Sequence, residues 1–263
     1  MIQVILFLLI TQGQNSDFLR LPVFSRPSAL GSAYTSVSDD AAAIFYNPAG
    51  INSTQTSINL TEWLMDTRFS AIASSYKIKK FISVGIGIYY FSYGSIDRYD
   101  ENGERLGSFS PYDIMTALSL TKTIGQCISF GISGKVFSQN IFETKNTSFE
   151  GDVGVKFTFP HLTIGENIKN FLNPNNSYAN LGFSLQPIKN LLMTAELFHF
   201  TNLELRAGVE YEILPMIFRM GINNQKLCFG IGYKQKNFSF DYAAINFPDL
   251  GLIHEFSIGL GIK

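Results

Sequence analysis

From about Thr54 onward the chain alternates two by two between apolar residues and small or polar ones, with no long helical pattern among them. In 205–213 the odd positions are apolar, while Arg206, Glu210 and Glu212 fall on the other side. A two-residue period puts successive side chains on opposite faces of a pleated strand. The same pattern recurs at Ile82, Val84, Ile86 and Ile88 against Ser83, Gly85 and Gly87. It returns at Ile128, Phe130 and Ile132, at Leu227, Phe229, Ile231 and Tyr233, and at Phe256, Ile258, Leu260 and Ile262.

What fills the second face separates a soluble sandwich from a membrane barrel. Strands that face water carry Lys, Glu and Thr, which keep the surface soluble and discourage edge pairing. Here the second face is mainly Gly and Ser, and charged residues make up only 16% of the chain, against about 25% in ordinary globular proteins. Apolar residues outside and small ones inside suit a narrow closed barrel in lipid. Arg or Lys turned to the lipid midplane would cost about 2–4 kcal/mol, and Glu somewhat less. The pattern therefore places Arg206, Glu210 and Glu212 toward the axis.

The 263 residues contain no linker that would divide them, so 54–263 is read as one all-β transmembrane barrel. A net charge of -1 and a pI near 6.3 exclude a nucleic-acid partner, which needs a clustered basic face. Val4 to Ile10 form a short apolar core followed by Thr11, Gln12 and Gly13. That is a signal-peptide pattern over 1–13, although no Lys or Arg precedes it. It is too short to span a bilayer, and no later run approaches the roughly 20 residues of a membrane helix. Cys127 and Cys228 are read as unpaired fillers of the small-residue face. His161, His199 and His254 lack metal-ligand spacing, and no nucleophile elbow or phosphate loop is present. No catalytic, cofactor-binding or metal residue is expected.

Alternating segments fall at 55–62, 67–78, 81–97, 105–122, 126–140, 147–159, 178–187, 190–198, 202–213, 216–223, 226–235, 237–247 and 252–262. That count is odd, whereas single-chain bacterial barrels are even with both ends in the periplasm. A missing strand inside 161–172 gives 14 strands, with 12 as the alternative. Asn102-Gly103, Asn223-Asn224 and Lys236-Asn237 supply turn chemistry between strands. Residues 14–53 read differently. Ser38, Asp39 and Asp40 can cap a short helix over Ala41–Tyr46, and Asn47-Pro48 ends it. Because hydrocarbon tolerates no irregular backbone, this segment is expected as a luminal plug or periplasmic collar.

The stretch Phe18–Val23, then Arg26, Pro27, Ser28, Ala29, Leu30, Gly31, Ser32, Ala33 and Tyr34, resembles the opening of the PorV/PorQ outer-membrane proteins. Tyr46, Asn47, Pro48, Ala49 and Gly50 continue the likeness, and this Asn-Pro-Ala-Gly element is shared with the wider FadL-like barrels. Leu205–Tyr211, Arg219–Gly221, Gly230–Tyr233, Asp241–Ala243 and His254–Ser257 extend it. The resemblance implies a 14-stranded FadL-like barrel in the bacterial outer membrane. It also implies a non-enzymatic part in type IX secretion or surface attachment, with partners among secreted cargo C-terminal domains and the secretion machinery. The chain is short for that family, which points to trimmed extracellular loops.

Two functions follow. A secretion component would recognise cargo through the Tyr93–Ser110 loop, with Tyr93, Tyr99, Asn102 and Phe109 as candidates. Alternatively, a FadL-like channel would carry a hydrophobic small molecule past the Asn47–Gly50 element. Asp39, Asp40, Asn47, Pro48 and Gly50 are expected to hold the plug against inward charges such as Arg206 and Glu210. Tyr89, Tyr90, Phe91 and Tyr93 read either as a recognition patch or as an interfacial aromatic girdle touching outer-membrane lipid.

Overall fold

The computed structural model describes residues 21–63, 67–199, 203–224, 226–247 and 251–261. The signal-peptide reading of 1–13 falls outside them. The strands are β1 Gln55–Glu62, β2 Arg68–Lys79, β3 Ile82–Ser92, β4 Ile96–Tyr99, β5 Arg105–Phe109, β6 Tyr112–Ile124, β7 Ile128–Ile141 and β8 Thr144–Thr158. They continue as β9 Leu162–Lys169, β10 Tyr178–Ile188, β11 Leu191–His199, β12 Leu203–Ile213, β13 Met216–Asn223, β14 Lys226–Gln235, β15 Phe238–Phe247 and β16 Gly251–Gly261.

Fourteen of these close into an antiparallel barrel in which β1 pairs with β16 and β3 with β6. The strand absent from the alternation count is β9, within the interval where parity required one. Two expected long strands, 81–97 and 105–122, are each interrupted. Gly94 takes a φ of 76° just after β3, and Pro111 stands just before β6. A positive φ suits glycine and Pro removes a ladder donor, so the pleat stops at both points. Between them β4 and β5 form a separate hairpin, closed by the Asn102-Gly103 turn, above the barrel end opposite to where β1 begins and β16 finishes. We call that end the far rim and the other the near rim.

Alternation sets which face is which. On β3, Val84, Ile86, Ile88 and Tyr90 point outward, and Ser83, Gly85, Gly87, Tyr89 and Phe91 point inward. The four aromatics near the end of this strand therefore do not act together. Tyr90 belongs to the outer surface, whereas Tyr89 and Phe91 are buried in the lumen. Cys228 is buried on the inner face, but Cys127 lies exposed in the turn between β6 and β7 and fills no interior space.

The hydrophobic core sits inside the cylinder. Residues 21–53 enter the lumen and fold there as α1 Ser25–Ala29, α2 Ala43–Tyr46 and a 3-10 turn at Pro48–Gly50. Leu30, Tyr34, Ile44 and Phe45 of this segment pack against Phe69, Tyr89, Phe91, Met115 and Phe137 of the wall. Inward glycines let its backbone lie directly on the wall. A Cβ on Gly165 would stand 2.5 Å from Thr35 O, and one on Gly208 2.7 Å from Leu30 O. On Gly131 and Gly221 it would collide with the backbone at Pro48–Ala49 and at Leu30–Gly31. The small inner face thus marks a filled lumen.

This packing makes Gly131→Val a specific test, with Gly134→Val as its control, since a Cβ at Gly134 meets nothing. We expect both variants to keep the heat-modifiable gel mobility of a closed barrel. Only Gly131→Val should expose residues 21–53 to proteinase K.

Candidate functional site

The lumen is divided by residues 21–53, and a charge cluster holds the dividing segment. Arg26 is the single basic residue in 21–53. Its Nε and Nη2 donate to the two carboxylate oxygens of Glu210 on β12, at 2.9 and 3.0 Å. Its Nη1 reaches Asp39 at 2.6 Å and Asp40 at 3.4 Å. Glu210 also accepts from Arg219 on β13 at 2.6 Å, and Arg219 donates to Asp241 on β15 at 2.7 Å. Strand parity puts all three wall residues on the inner face, on β12, β13 and, across β14, β15. A bidentate guanidinium fork on a carboxylate fixes geometry as well as energy.

Asp40 accepts from the Tyr34 hydroxyl at 2.8 Å and from the Ala42 N–H at 2.9 Å. Burial raises both groups above their ordinary values, opposed in each case by Arg26. Tyr34 therefore remains a donor. None of the three expected capping residues caps α2, whose N-cap is Ala42. Asp40 turns the chain just ahead of it through the Ala42 N–H, Ser38 donates back to Tyr34 O, and Asp39 is drawn aside by Arg26.

Asn47 is fully buried. Its Oδ1 accepts from Ala49 N, and its Nδ2 donates to Thr35 O at 3.0 Å and to Val155 O on β8 at 3.3 Å. The Pro48 carbonyl accepts from Thr121 on β6 at 2.5 Å. Gly50 lies against Ser38, where a Cβ would meet the Ser38 backbone. One amide thus ties the Asn-Pro-Ala-Gly turn to the preceding loop and to the wall.

Arg206 does not join Asp39 or Asp40, because it lies farther along the lumen toward the far rim. It faces Glu196 and Glu204 at 3.6 Å each and stacks 4.0 Å from the Phe198 ring centroid. The plug contact expected of Arg206 belongs instead to Glu210, with the cation on the plug side. Sequence reasoning also missed Arg26, Arg219, Lys156 and Glu196. Lys156 Nζ donates to Val37 O and Ser38 O at 2.8 Å each, and Glu196 accepts from Thr35 N at 2.8 Å. The inward parity that flagged Arg206 and Glu210 could have identified the wall residues.

The loop candidates separate. The Tyr93 hydroxyl donates to Asp113 at 2.8 Å, so Tyr93 closes the rim. Phe109 packs edge-on against Phe142, whose ring lies under the Arg98 guanidinium. Tyr99 and Asn102 are exposed on the β4–β5 hairpin.

Cavities flank the segment on both sides. At the near rim one of about 600 Å³ is lined by Arg26, Asp39, Lys77, Lys234, Lys236 and Glu212. A second, of about 300 Å³, shares Arg26, Asp39 and Glu212 with it. Toward the far rim lies a cavity of about 230 Å³ walled by Leu21, Trp63, Ile245, Phe247, Arg206 and Lys226. Leu21, Phe198 and Arg206 also line a pocket of about 40 Å³ beneath it. Residues 21–53 separate the charged near-rim space from a far-rim space that carries three aromatic rings, Trp63, Phe198 and Phe247, beside Glu204, Arg206 and Lys226.

Comparison with solved structures places this geometry. The toluene transporter TbuX of Ralstonia pickettii superposes with a TM-score of 0.65 at 12% identity, over 92% of this chain and 98% of that one. A FadL homologue of Pseudomonas aeruginosa gives 0.62 at 11%, over 92% and 99%. This chain has the fold of the FadL-type outer-membrane barrels. The toluene transporter TodX of Pseudomonas putida agrees, at 0.62 and 10% identity over 88% of this chain and 96% of that one. No family model and no curated relative matches the sequence. Within this fold, the Arg26 cluster is the charged tie between the luminal segment and the wall, beside the hydrogen bonds of Asn47, Lys156 and Glu196.

Removing one member of a buried charge cluster leaves the others uncompensated, at about 3 kcal/mol. Arg26→Ala should therefore raise hydrogen exchange at residues 27–53 by roughly a hundredfold while strand amides stay protected. Arg26→Lys should fall between the two, because Lys cannot make the fork. Equal loosening of strands and segment would refute the anchoring role.

Proposed function

We propose that the chain is a non-enzymatic outer-membrane channel for hydrophobic small molecules, held closed at rest by residues 21–53. The observation that supports this reading is the filled FadL-type lumen, with a far-rim cavity that has an apolar side formed by Leu21, Trp63, Ile245 and Phe247. With both strand ends in the periplasm, as is usual for such barrels, the far rim faces outward. An apolar solute would enter among Leu21, Trp63, Ile245 and Phe247, where burial of its surface replaces contact with water. Onward movement requires the luminal segment to shift, because its backbone lies on the wall glycines with no gap for a solute.

The secretion reading, with PorV/PorQ kinship, cargo C-terminal domains and type IX machinery as partners, draws no support from the solved structures that share the fold. The channel reading does, since two of them are toluene transporters. Of the loop residues expected to bind cargo, Tyr93 on Asp113 and Phe109 on Phe142 have structural roles, while Tyr99 and Asn102 are exposed.

The test is uptake of radiolabelled toluene by cells lacking their own hydrocarbon channels. Expression of this chain should restore uptake, and a disulfide between Cys placed at Ser25 and Ser257, whose hydroxyl oxygens lie 2.9 Å apart, should abolish it reversibly. Uptake that ignores both expression and the lock would refute the proposal.

A further inference from the structure

Among the described residues, the outer face of the barrel obeys the rule that charge is kept out of lipid, apart from one position. Glu62, Arg68, Lys79, Lys122 and Lys145 all lie in the first or last three residues of their strands, where a side chain reaches the water interface. Glu166 does not. It is the fifth residue of the eight in β9. Its neighbours Gly165 and Asn167 point into the lumen, so Glu166 points outward, and it is exposed.

Its surroundings are apolar in every direction. Val155 on β8 and Leu181 on β10 stand beside it, and Ile164 and Ile168 lie below and above. Farther toward the far rim Phe171 and Leu172 are exposed as well. A rise of about 3.3 Å per residue at a tilt of about 40° puts Glu166 roughly 10 Å above the start of β9. That depth lies within an apolar band about 25 Å tall. Lys or Arg could bend toward the interface from there, but a glutamate arm is too short to do so. Among the described residues it has no ion-pair or hydrogen-bond partner.

An ionisable side chain at this depth calls for a named partner. We infer that the outer face of β8–β10 around Glu166 is a docking surface for a second membrane-embedded protein that presents a Lys or Arg side chain at the same depth. Charge complementarity selects that occupant over the alternatives. A second copy offers cations only near its rims, and a symmetric pair would bring Glu166 against Glu166. Lipid offers hydrocarbon alone at this level, because its charged groups lie at the interface. The inference is independent of what passes through the lumen.

The experiment is photo-crosslinking in native outer membranes, with benzoylphenylalanine at Leu181, or at the outward Phe229 on β14, four strands away around the barrel, as control. Position 181 should give one discrete protein adduct whose crosslinked peptide carries Lys or Arg within its membrane span, and position 229 should give none. Glu166→Leu should reduce the adduct at least about tenfold and Glu166→Asp should retain it. Heat-modifiable mobility confirms that each variant is folded, and Glu166→Gln replaces Glu166→Leu should the latter fail to assemble. An adduct undiminished in the folded Leu or Gln variant, adducts with lipid alone, or an adduct with a second copy of this chain would each overturn the inference.

Discussion

The contact on which the rest of the structure depends is backbone against backbone, where the luminal segment lies on the inward glycines of the wall. A side chain at Gly131, Gly165, Gly208 or Gly221 would hold the segment off the strands. Close approach brings wall donors within reach of carbonyls that residues 21–53, mostly irregular, cannot satisfy among themselves. Lys156 donates to Val37 O and Ser38 O, Thr194 to Ala33 O, Asn167 to Tyr46 O and Lys169 to Phe45 O. A buried irregular segment is stable only when its backbone groups are paired in this way. Here the pairing comes from side chains of the barrel.

The charges follow from the same geometry. A lumen filled by a segment with one basic residue must neutralise its own inward carboxylates, and Arg26 meets Glu210, Asp39 and Asp40 together. Replacing this cluster by apolar packing could be neutral or stabilising, because buried ion pairs recover little net energy. What the cluster gives is register: a bidentate fork accepts one placement of α1 against β12 and β13. Such a polar, directional attachment suits a closure that must release and reseat, and it agrees with the channel proposal.

Much of the barrel could be read from the alternation. Eleven of the thirteen alternating segments match the observed strands to within three residues, because a lipid-facing strand has no freedom in its outward positions. Parity demanded β9 even where Glu166, a charge on its outward face, interrupted the apolar half of the pattern. The two misjudged strands share one cause: the apolar pattern continues through 81–97 and 105–122, and only Gly94 and Pro111 show that the pleat has ended. The luminal segment was legible in its turn chemistry but not in its partners. Nothing in the order of residues says that Arg26 would meet a carboxylate 184 positions away, while Arg206, on the same wall face, would remain near the far rim. The inner glycines were read as a narrow bore, and their role as a seat for backbone emerges only when both surfaces are seen together.

The central claim is that residues 21–53 occupy the lumen and rest on its wall in the membrane, and a paired-cysteine measurement tests it most directly. Asn47 Nδ2 bonds Val155 O on β8, and the Asn47 side chain lies against Gly154. Cysteines at positions 47 and 154, with Cys127 and Cys228 replaced by Ser, should therefore form a disulfide when intact membranes are mildly oxidised, before any detergent is added. Near-complete crosslinking between these positions is the predicted result. Two thiols that both stay free and both react with a membrane-permeant maleimide would contradict the account.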